Sequence, residues 1–539
     1  MLSGFWRPGV AKVLSTILSG PIGLIDKRLG QQISGIGLTA IGILTGNPIA
    51  LAAGSFQLQR GFAPPIAKPE QTETAIRTPV PVRVSGYGVQ RLQMAFGLYV
   101  TAKTDEGIDV GAFHEGRINA VRSAYLGDKK VSYNSSGWVQ RGEDEEFGKN
   151  SDKVRIGFRL GMATETAFSE VISLVPDQWT SAHRGDGVAT GFAIWRSVKA
   201  SDFQKVYPSG GPNSMPLSFV MELQPVYDWR DPAQSLTSPG TWKWSENVIL
   251  HLAHYLLVRD NKTWARHFAP TIAYWTAAAN DADSPVPLKG VQTILSMAAS
   301  DGSSTINVLS VNGLAPGMTI TVSATGNTAL TETRVVTAIN GLSIGLSGGL
   351  NFDHPVGSQV TWASSAGAPA TEPRYRSCVV HKHTDEHKSV IAALLACCDG
   401  WMSPRADGAL VVYSGRYYAP TVTLTDADII NLSIQDGLEE ENSVNQIPIT
   451  YVSANHDFNT VDTDAWTDEA DISRRGKILA STGLANQVPS HSQARRLGKR
   501  AYAEANAFPR GTTLLRNTRN ARKVLGERYV RIRSDASGF

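Results

Sequence analysis

Residues 226–257 read VYDWRDPAQSLTSPGTWKWSENVILHLAHYLL. The first half carries Trp229, Trp242 and Trp244, with Pro232 and Pro239 between them. Proline fixes φ and withholds a backbone donor, so this half is a braced loop rather than a strand or a helix. In the second half Ser245 or Asn247 can cap a helix whose Val248, Leu252, Tyr255 and Leu256 fall on one apolar stripe. A Trp-rich loop feeding such a helix suits three roles: an active-site lid, an aromatic ligand platform, or a clasp docking one domain onto another.

Outward from this stretch, the residues before it are short alternating runs. VRIGFRLG (154–161), GVATGFAIWRSV (187–198) and LSFVMELQPVYD (217–228) read as strands, and Gly127-Asp128 marks a tight turn between two more. After it, a second helix near 264–280 turns Ile272, Trp275 and Thr276 inward, and the text breaks at Pro285-Val286-Pro287. From there to about residue 371 charges nearly vanish and Gly, Ser and Thr dominate in strand–turn repeats. Helical, charged text then resumes at Pro373-Arg374-Tyr375, with a helix over 386–398, a hairpin over 407–425, a strand over 444–454, and a closing helix and two strands. The expected class is α+β, mostly β. Its segments are an apolar helical stretch 1–60, an extended linker 61–79, a β-rich block 80–288 with helices at about 247–280, an inserted small all-β domain 289–371, and a continuation 372–539.

Composition narrows the classes. At 539 residues several domains are expected, and 50 glycines with 27 prolines give a turn-rich chain short of disorder. A net charge of +3 is too small for the whole-molecule field to draw in nucleic acid. Only the segment after His491 is strongly basic, with twelve Lys and Arg against Glu504, Glu527 and Asp535. Three cysteines, Cys378, Cys397 and Cys398, exclude a secreted disulfide framework and point to synthesis in a reducing compartment. No signal-peptide pattern is read at the start. The uncharged run Ile33–Gly54 matches the roughly 20 residues a bilayer requires, but its glycines, Asn47 and Pro48 interrupt it. Ile33, Leu38, Ile41, Ile43 and Leu44 are therefore read as contacts for a membrane or another apolar chain.

Each reactive constellation has a plainer reading beside it. His383 and His387 have the i, i+4 spacing that lets two imidazoles share a metal, with His381 and Cys378 near, yet His383-Thr384-Asp385 also reads as a capping turn. The cysteines lack CxxC spacing and read as small buried hydrophobes. Asp436, Glu439, Glu440 and Glu441, and the later Asp462, Asp464, Asp468, Glu469 and Asp471, lack EF-hand offsets. Asp228 and Glu246 flank the Trp loop as a glycosidase pair would, but Asp228 sits by Arg230 and Glu246 in a first helical turn. No nucleophile elbow, Walker A or dinucleotide fingerprint occurs.

The ordered series HEGRINAVRSAYLGDKKV (114–131), WTSAHRGDGVATGFAIWR (179–196), VYPSGGPN (206–213), QPVYDWRDP (224–232), WKWSENVILHLAHYLL (242–257), PRYRSCVV (373–380), ACCDGWMSPRADGALVVYSGRY (396–416), ENSVNQIPITYVSA (441–454) and SQARRLGKRAYA (492–503) resembles a known family. It is similar to the central tail-tip or baseplate hub proteins of long-tailed bacteriophages, the lambda-type host specificity protein J group. The resemblance spans most of 80–535 outside the insertion, and the insertion is its main departure.

What the resemblance implies is a homotrimeric hub of β-barrel-like domains at the distal tip of a virion tail, made in the bacterial cytoplasm. Such a hub joins the tail tube to tip or fibre, and passes tape measure and then DNA. Its partners would be a distal tail protein, the tape measure protein, tip or fibre proteins and the host envelope. On this reading the chain is not an enzyme and no cofactor is expected, though a metal or iron–sulfur site in the lumen stays open. Tyr227, Asp228, Trp229, Arg230, Trp242 and Trp244 become a structural domain seam, and Ile33–Gly54 touches tape measure or membrane. A conduit cannot grip DNA, so Arg495, Arg496, Arg500, Arg519, Arg522, Arg528, Arg531 and Arg533 are expected to pair with acidic loops such as Glu439–Glu441 or with a neighbouring ring. The alternatives are a glycan-binding or glycan-cleaving tail protein and a membrane-active protein.

Overall fold

The computed structural model describes residues 82–535, apart from 143–145, 211–213, 288–291, 310, 312–313, 325–326, 363–370, 437–442, 482, 507–509 and 518. Segments 1–60 and 61–79, with Ile33, Leu38, Ile41, Ile43 and Leu44, lie outside the described residues. What is described is α+β and mostly β, with seven short helices among several small sheets.

Two four-stranded sheets make the first body. One orders Val89–Gln93, Leu217–Glu222, Ala120–Leu126 and Lys129–Val131, and the other orders Ala95–Thr101, Gly107–Glu115, Val188–Trp195 and Val154–Leu160. The chain passes from the first sheet to the second through Met94 alone, which gives the pair a barrel-like corner. Period-2 alternation sets the facing: Leu217, Phe219 and Met221 join Phe113, Val154, Ile156, Ala193 and Trp195 in the shared interior. The second sheet is buried on both faces, because Ile108, Val110, Phe192 and Ile194 pack outward against the helix Ser169–Leu174 and Phe168. That is why GFAIW reads as a continuous apolar run.

The second body is built on helices Val248–Val258, Ile272–Asp283, His387–Ala396 and His491–Ala505, packed with the hairpin Trp401–Pro404/Leu410–Tyr413 and the strands Gln446–Ser453 and Asn459–Thr467. Two expectations change here. The first helix is not amphipathic in place: Val248 through Leu256 are all buried, His251 and His254 included. The expected hairpin over 407–425 does not form. Leu410–Tyr413 pairs with Trp401–Pro404, whereas Val422–Leu424 runs parallel to Val530–Ile532, over a hundred residues away.

Residues 292–362 form a six-stranded sheet with a core of its own around Ile306, Ile320, Val322, Val336, Ile344 and Val360. It connects to the rest through a short ribbon in which Pro285–Pro287 lies antiparallel to Thr371–Pro373. Arg496 and Arg376 hold the carboxylate of Glu372, each at 2.7 Å, and so fasten the ribbon to the second body. The edge strand Gln292–Ile294 also approaches Asn459–Thr467.

Because Pro287 and Thr371 are already paired, replacing residues 288–370 by a short Gly-Ser bridge closes a small gap. The remaining body should lose no more than about 1 kcal/mol, since loop-closure entropy changes by only about 0.6 kcal/mol per doubling of length. Urea unfolding followed by tryptophan fluorescence reads this directly, because the insertion contributes only Trp362. Loss of the cooperative transition would show that the insertion is part of the host core.

Candidate functional site

The Trp loop folds back on itself where Val226 donates its N–H to Lys243 O at 2.9 Å, and its indoles then diverge. Trp229 donates Nε1–H to Thr276 Oγ1 at 2.9 Å and packs on Trp264 and Trp275, so it binds the helical body. Tyr227 joins the same aromatic group, 5.5 Å from Trp264. Trp242 donates to Ser235 O at 2.9 Å and turns its ring edge-on to His254. Trp244 alone lies on the first body, against Val89, Tyr125 and Val220, with Nε1–H directed at Gly88 O at 3.4 Å. Arg230 grips Asp228 through two 2.8 Å bonds and reaches Asn280 at 2.9 Å and Asp283 at 2.7 Å, tying the loop to the helix Ile272–Asp283.

The loop delivers Asn247, whose Oδ1 caps Ile249 N at 2.9 Å while its Nδ2 donates to Ala279 O at 2.9 Å. The helix it starts then presents polar groups to a dry interior. His251 bonds Ser377 Oγ at 2.6 Å and Ser245 O at 2.8 Å, His254 meets the Tyr87 hydroxyl at 2.9 Å, and the Tyr255 hydroxyl meets His387 at 2.9 Å. Tyr87 stacks on His251 with ring centroids 4.8 Å apart. It is buried in the second body although it belongs to the segment entering the first. Gly88 follows at φ 70°, where a Cβ would stand 2.2 Å from Ser377 O, so only glycine fits this crossing.

Between the bodies lies a cavity of about 550 Å³ lined by, among others, Tyr87, Glu115, Trp242, His254, His381 and His383. Burial holds the histidines neutral, pushing His251 down to about 4 and His254 and His381 down to about 3. His381 is 4% exposed and neither ring nitrogen has a hydrogen-bond partner. His383 differs. Its Nε2 meets Ser85 Oγ at 2.9 Å, and its Nδ1 stands 3.1 Å from Glu115 Oε2 without hydrogen bonding to it. Glu115 is shared with Arg83 at 3.4 Å.

The helical i, i+4 pairing of His383 and His387 is not formed. His387 opens its helix while His383 lies before it, so the two never share a helical face, and each ring is committed differently. Among the described residues no three His, Cys, Asp or Glu are placed to hold a metal ion. Cys378, Cys397 and Cys398 are buried and free, and burial raises all three thiols. Asp228 and Glu246 each carry their own arginine, Glu246 with Arg376 at 3.4 Å, and make no joint site. Asp468 and Asp471 serve as a helix cap and as an ion pair with Arg475 at 2.9 Å. Glu439–Glu441 lie outside the described residues.

The basic C-terminal segment is partly a set of struts. Arg500 reaches Asp399 at 2.6 Å, Arg528 stands 3.9 Å from the same carboxylate and donates to Ser414 O, and Arg496 joins Glu372. Arg495 lies over Trp466 at 5.2 Å, and burial lowers it to about 10. Arg522, Arg531 and Arg533 are exposed, and the side chain of Arg519 lies outside the described residues. Sequence reasoning located the tryptophans but missed Ser85, Tyr87 and Glu115, whose histidine partners His254 and His383 lie 167 to 298 residues away; SGYG, unlike an ordinary strand, was the available signal.

No protein-family model and no curated protein matches the sequence. Among solved structures, the chain is similar to one described as the virion of a native gene transfer agent particle. That likeness has 11% identity and a TM-score of 0.39, over 89% of this chain and 86% of the other.

Two outcomes follow from the buried histidines. Their folded pKa values lie below the unfolded value near 6.5, so their stabilising contribution is full above that pH and is lost as pH falls towards 4 and 3. Between pH 6.5 and 5 each of His251, His254 and His381 should cost about 2 kcal/mol. Urea unfolding across that range should show a steep loss, shallower by about one proton in His254→Asn; a flat profile would refute neutral burial. Tyr87→Phe should lower stability by about 1–3 kcal/mol at pH 7, because it strands the buried His254 Nδ1.

Proposed function

We propose that this chain is a structural protein of a phage-type virion, serving as the hub at the distal tip of the tail. One observation carries this reading: motifs that resemble tail-tip hubs and lie far apart in sequence meet one another in the second body. Arg376 and Ser377 of PRYRSCVV hold Glu246 and His251 of WKWSENVILHLAHYLL. Gln493 of SQARRLGKRAYA donates to Arg376 O at 2.8 Å and to Cys397 O at 2.9 Å. Residues held in series because they hold each other in place suit an architectural part.

In this reading three copies close the tail tube, bind a distal tail protein above and tip or fibre proteins below, and pass tape measure and then DNA. The structural role itself needs no catalysis and no cofactor. The exposed Arg522, Arg531 and Arg533 then face a neighbouring ring rather than a gripped duplex.

Native mass measurement of the full chain at micromolar concentration should give a trimer, and low-resolution imaging a closed ring. A stable monomer would sink the hub. In a filter-binding titration against duplex DNA, affinity should stay weaker than micromolar at physiological salt; tighter binding would replace the passive conduit with a DNA-gripping site.

A further inference from the structure

The seam cavity holds an arrangement that the structural role does not use. Ser85 lies on the short strand Val84–Gly86, paired antiparallel with Val380–Lys382, and Glu115 ends the strand Gly107–Glu115. His383 follows Lys382 directly. Three segments thus bring hydroxyl, imidazole and carboxylate together, Ser85 Oγ 2.9 Å from His383 Nε2 and Glu115 Oε2 3.1 Å from its Nδ1. The nitrogens are in the order acyl transfer requires, Nε2 towards the hydroxyl and Nδ1 towards the carboxylate; with its proton on Nδ1 the ring can take the serine proton.

We propose that Ser85, His383 and Glu115 form a serine-hydrolase site that cleaves small carboxylic esters. All three residues line the same cavity, and His383 and Glu115 are sheltered at 15% and 30% side-chain exposure. Met162, Pro225, Trp242 and Val258 give that cavity apolar walls, suited to a short acyl chain. Arg117 also lines it, and a guanidinium there can stabilise negative charge on a carbonyl oxygen.

Ser85 Oγ attacks the ester carbonyl carbon while its proton passes to His383 Nε2, forming a C–O bond and an oxyanion. The oxyanion collapses, the bond to the alcohol oxygen breaks, and His383 returns the proton to the departing alkoxide. Water then attacks the acyl-serine, giving one proton to His383, and Ser85 Oγ leaves with that proton. The sum is ester plus water giving acid plus alcohol. Glu115 positions the imidazole and stabilises its charged form. In the resting arrangement the Ser85 hydroxyl donates to Glu115 O at 3.1 Å, so the reaction requires it to turn to His383 Nε2. Arg83, His114, Glu115, Arg259 and His381 are the charged or titratable neighbours of His383; burial and Arg259 lower its pKa, leaving it neutral and basic at pH 7.

The site stands on geometry alone and is independent of the tail-tip reading. The test uses the full chain with p-nitrophenyl acetate and a fluorophosphonate probe. The intact protein should hydrolyse the ester above the buffer rate and carry one probe adduct on Ser85 by peptide mass mapping. Ser85→Ala should abolish both, and His383→Gln should lower kcat by about a hundredfold or more. The rate should rise with pH and level off by about pH 7. Glu115→Gln separates positioning from packing: kcat should drop by about tenfold or more with KM nearly unchanged. Turnover equal to that of Ser85→Ala, or probe attachment elsewhere, would overturn the proposal. If Ser85→Ala does not fold, Ser85→Cys decides: a thiol there should react with iodoacetamide faster than the three buried native cysteines, and equal inertness would overturn it.

Discussion

A helix with no face to water must find a protein partner for every polar group it carries, because an unpaired buried donor or acceptor costs about 1–3 kcal/mol. The helix Val248–Val258 is in that position along nearly its whole length. Asn247 takes Ala279, His251 takes Ser245 and Ser377, His254 takes Tyr87, and Tyr255 takes His387. These partners come from residues 87, 245, 279, 377 and 387, so satisfying one helix gathers most of the chain. An apolar helix could slide or rotate against its neighbours at little cost. This one has a single acceptable seating, and the aromatic loop before it fixes the height at which it starts.

This requirement also explains what could be read from the sequence. The strands of the first body were legible because their alternation is local, and Gly127-Asp128 marked its turn for the same reason. The helix at Val248 was legible in place and length. Its surroundings were not, since His251 and His254 look like a solvent-facing side until Tyr87 and Ser377 are brought to them from afar. The expected hairpin over 407–425 failed likewise: Val422–Leu424 has a fit partner next to it in sequence, but Val530–Ile532 takes that place. Of the site, Trp242 and His383 were visible as residue types, whereas their relation to Ser85 and Glu115 depends on a strand pairing across almost three hundred residues.

Charge is used in the same way. Glu372 is held by Arg376, Arg496 and the Ser490 hydroxyl, and Asp399 by Arg500 and Arg528. A pair this enclosed contributes less to net stability than to uniqueness, since removing one member leaves a buried charge behind. The basic end of the chain is thus only partly a surface. Several of its arginines are internal struts whose partners lie near the two cysteines at 397 and 398 and at the root of the insertion.

That root has a further effect, on solubility. A two-stranded ribbon standing between two bodies leaves both its edges unpaired, and open edges invite a strand from another molecule to add on. Here three of the six ribbon residues, Pro285, Pro287 and Pro373, have no N–H to offer. A foreign strand would meet a row of missing donors, and the ladder could not propagate. Proline at these positions lets the chain carry an extra domain on a narrow neck without turning that neck into a seed for fibrils, even where many copies are synthesised together.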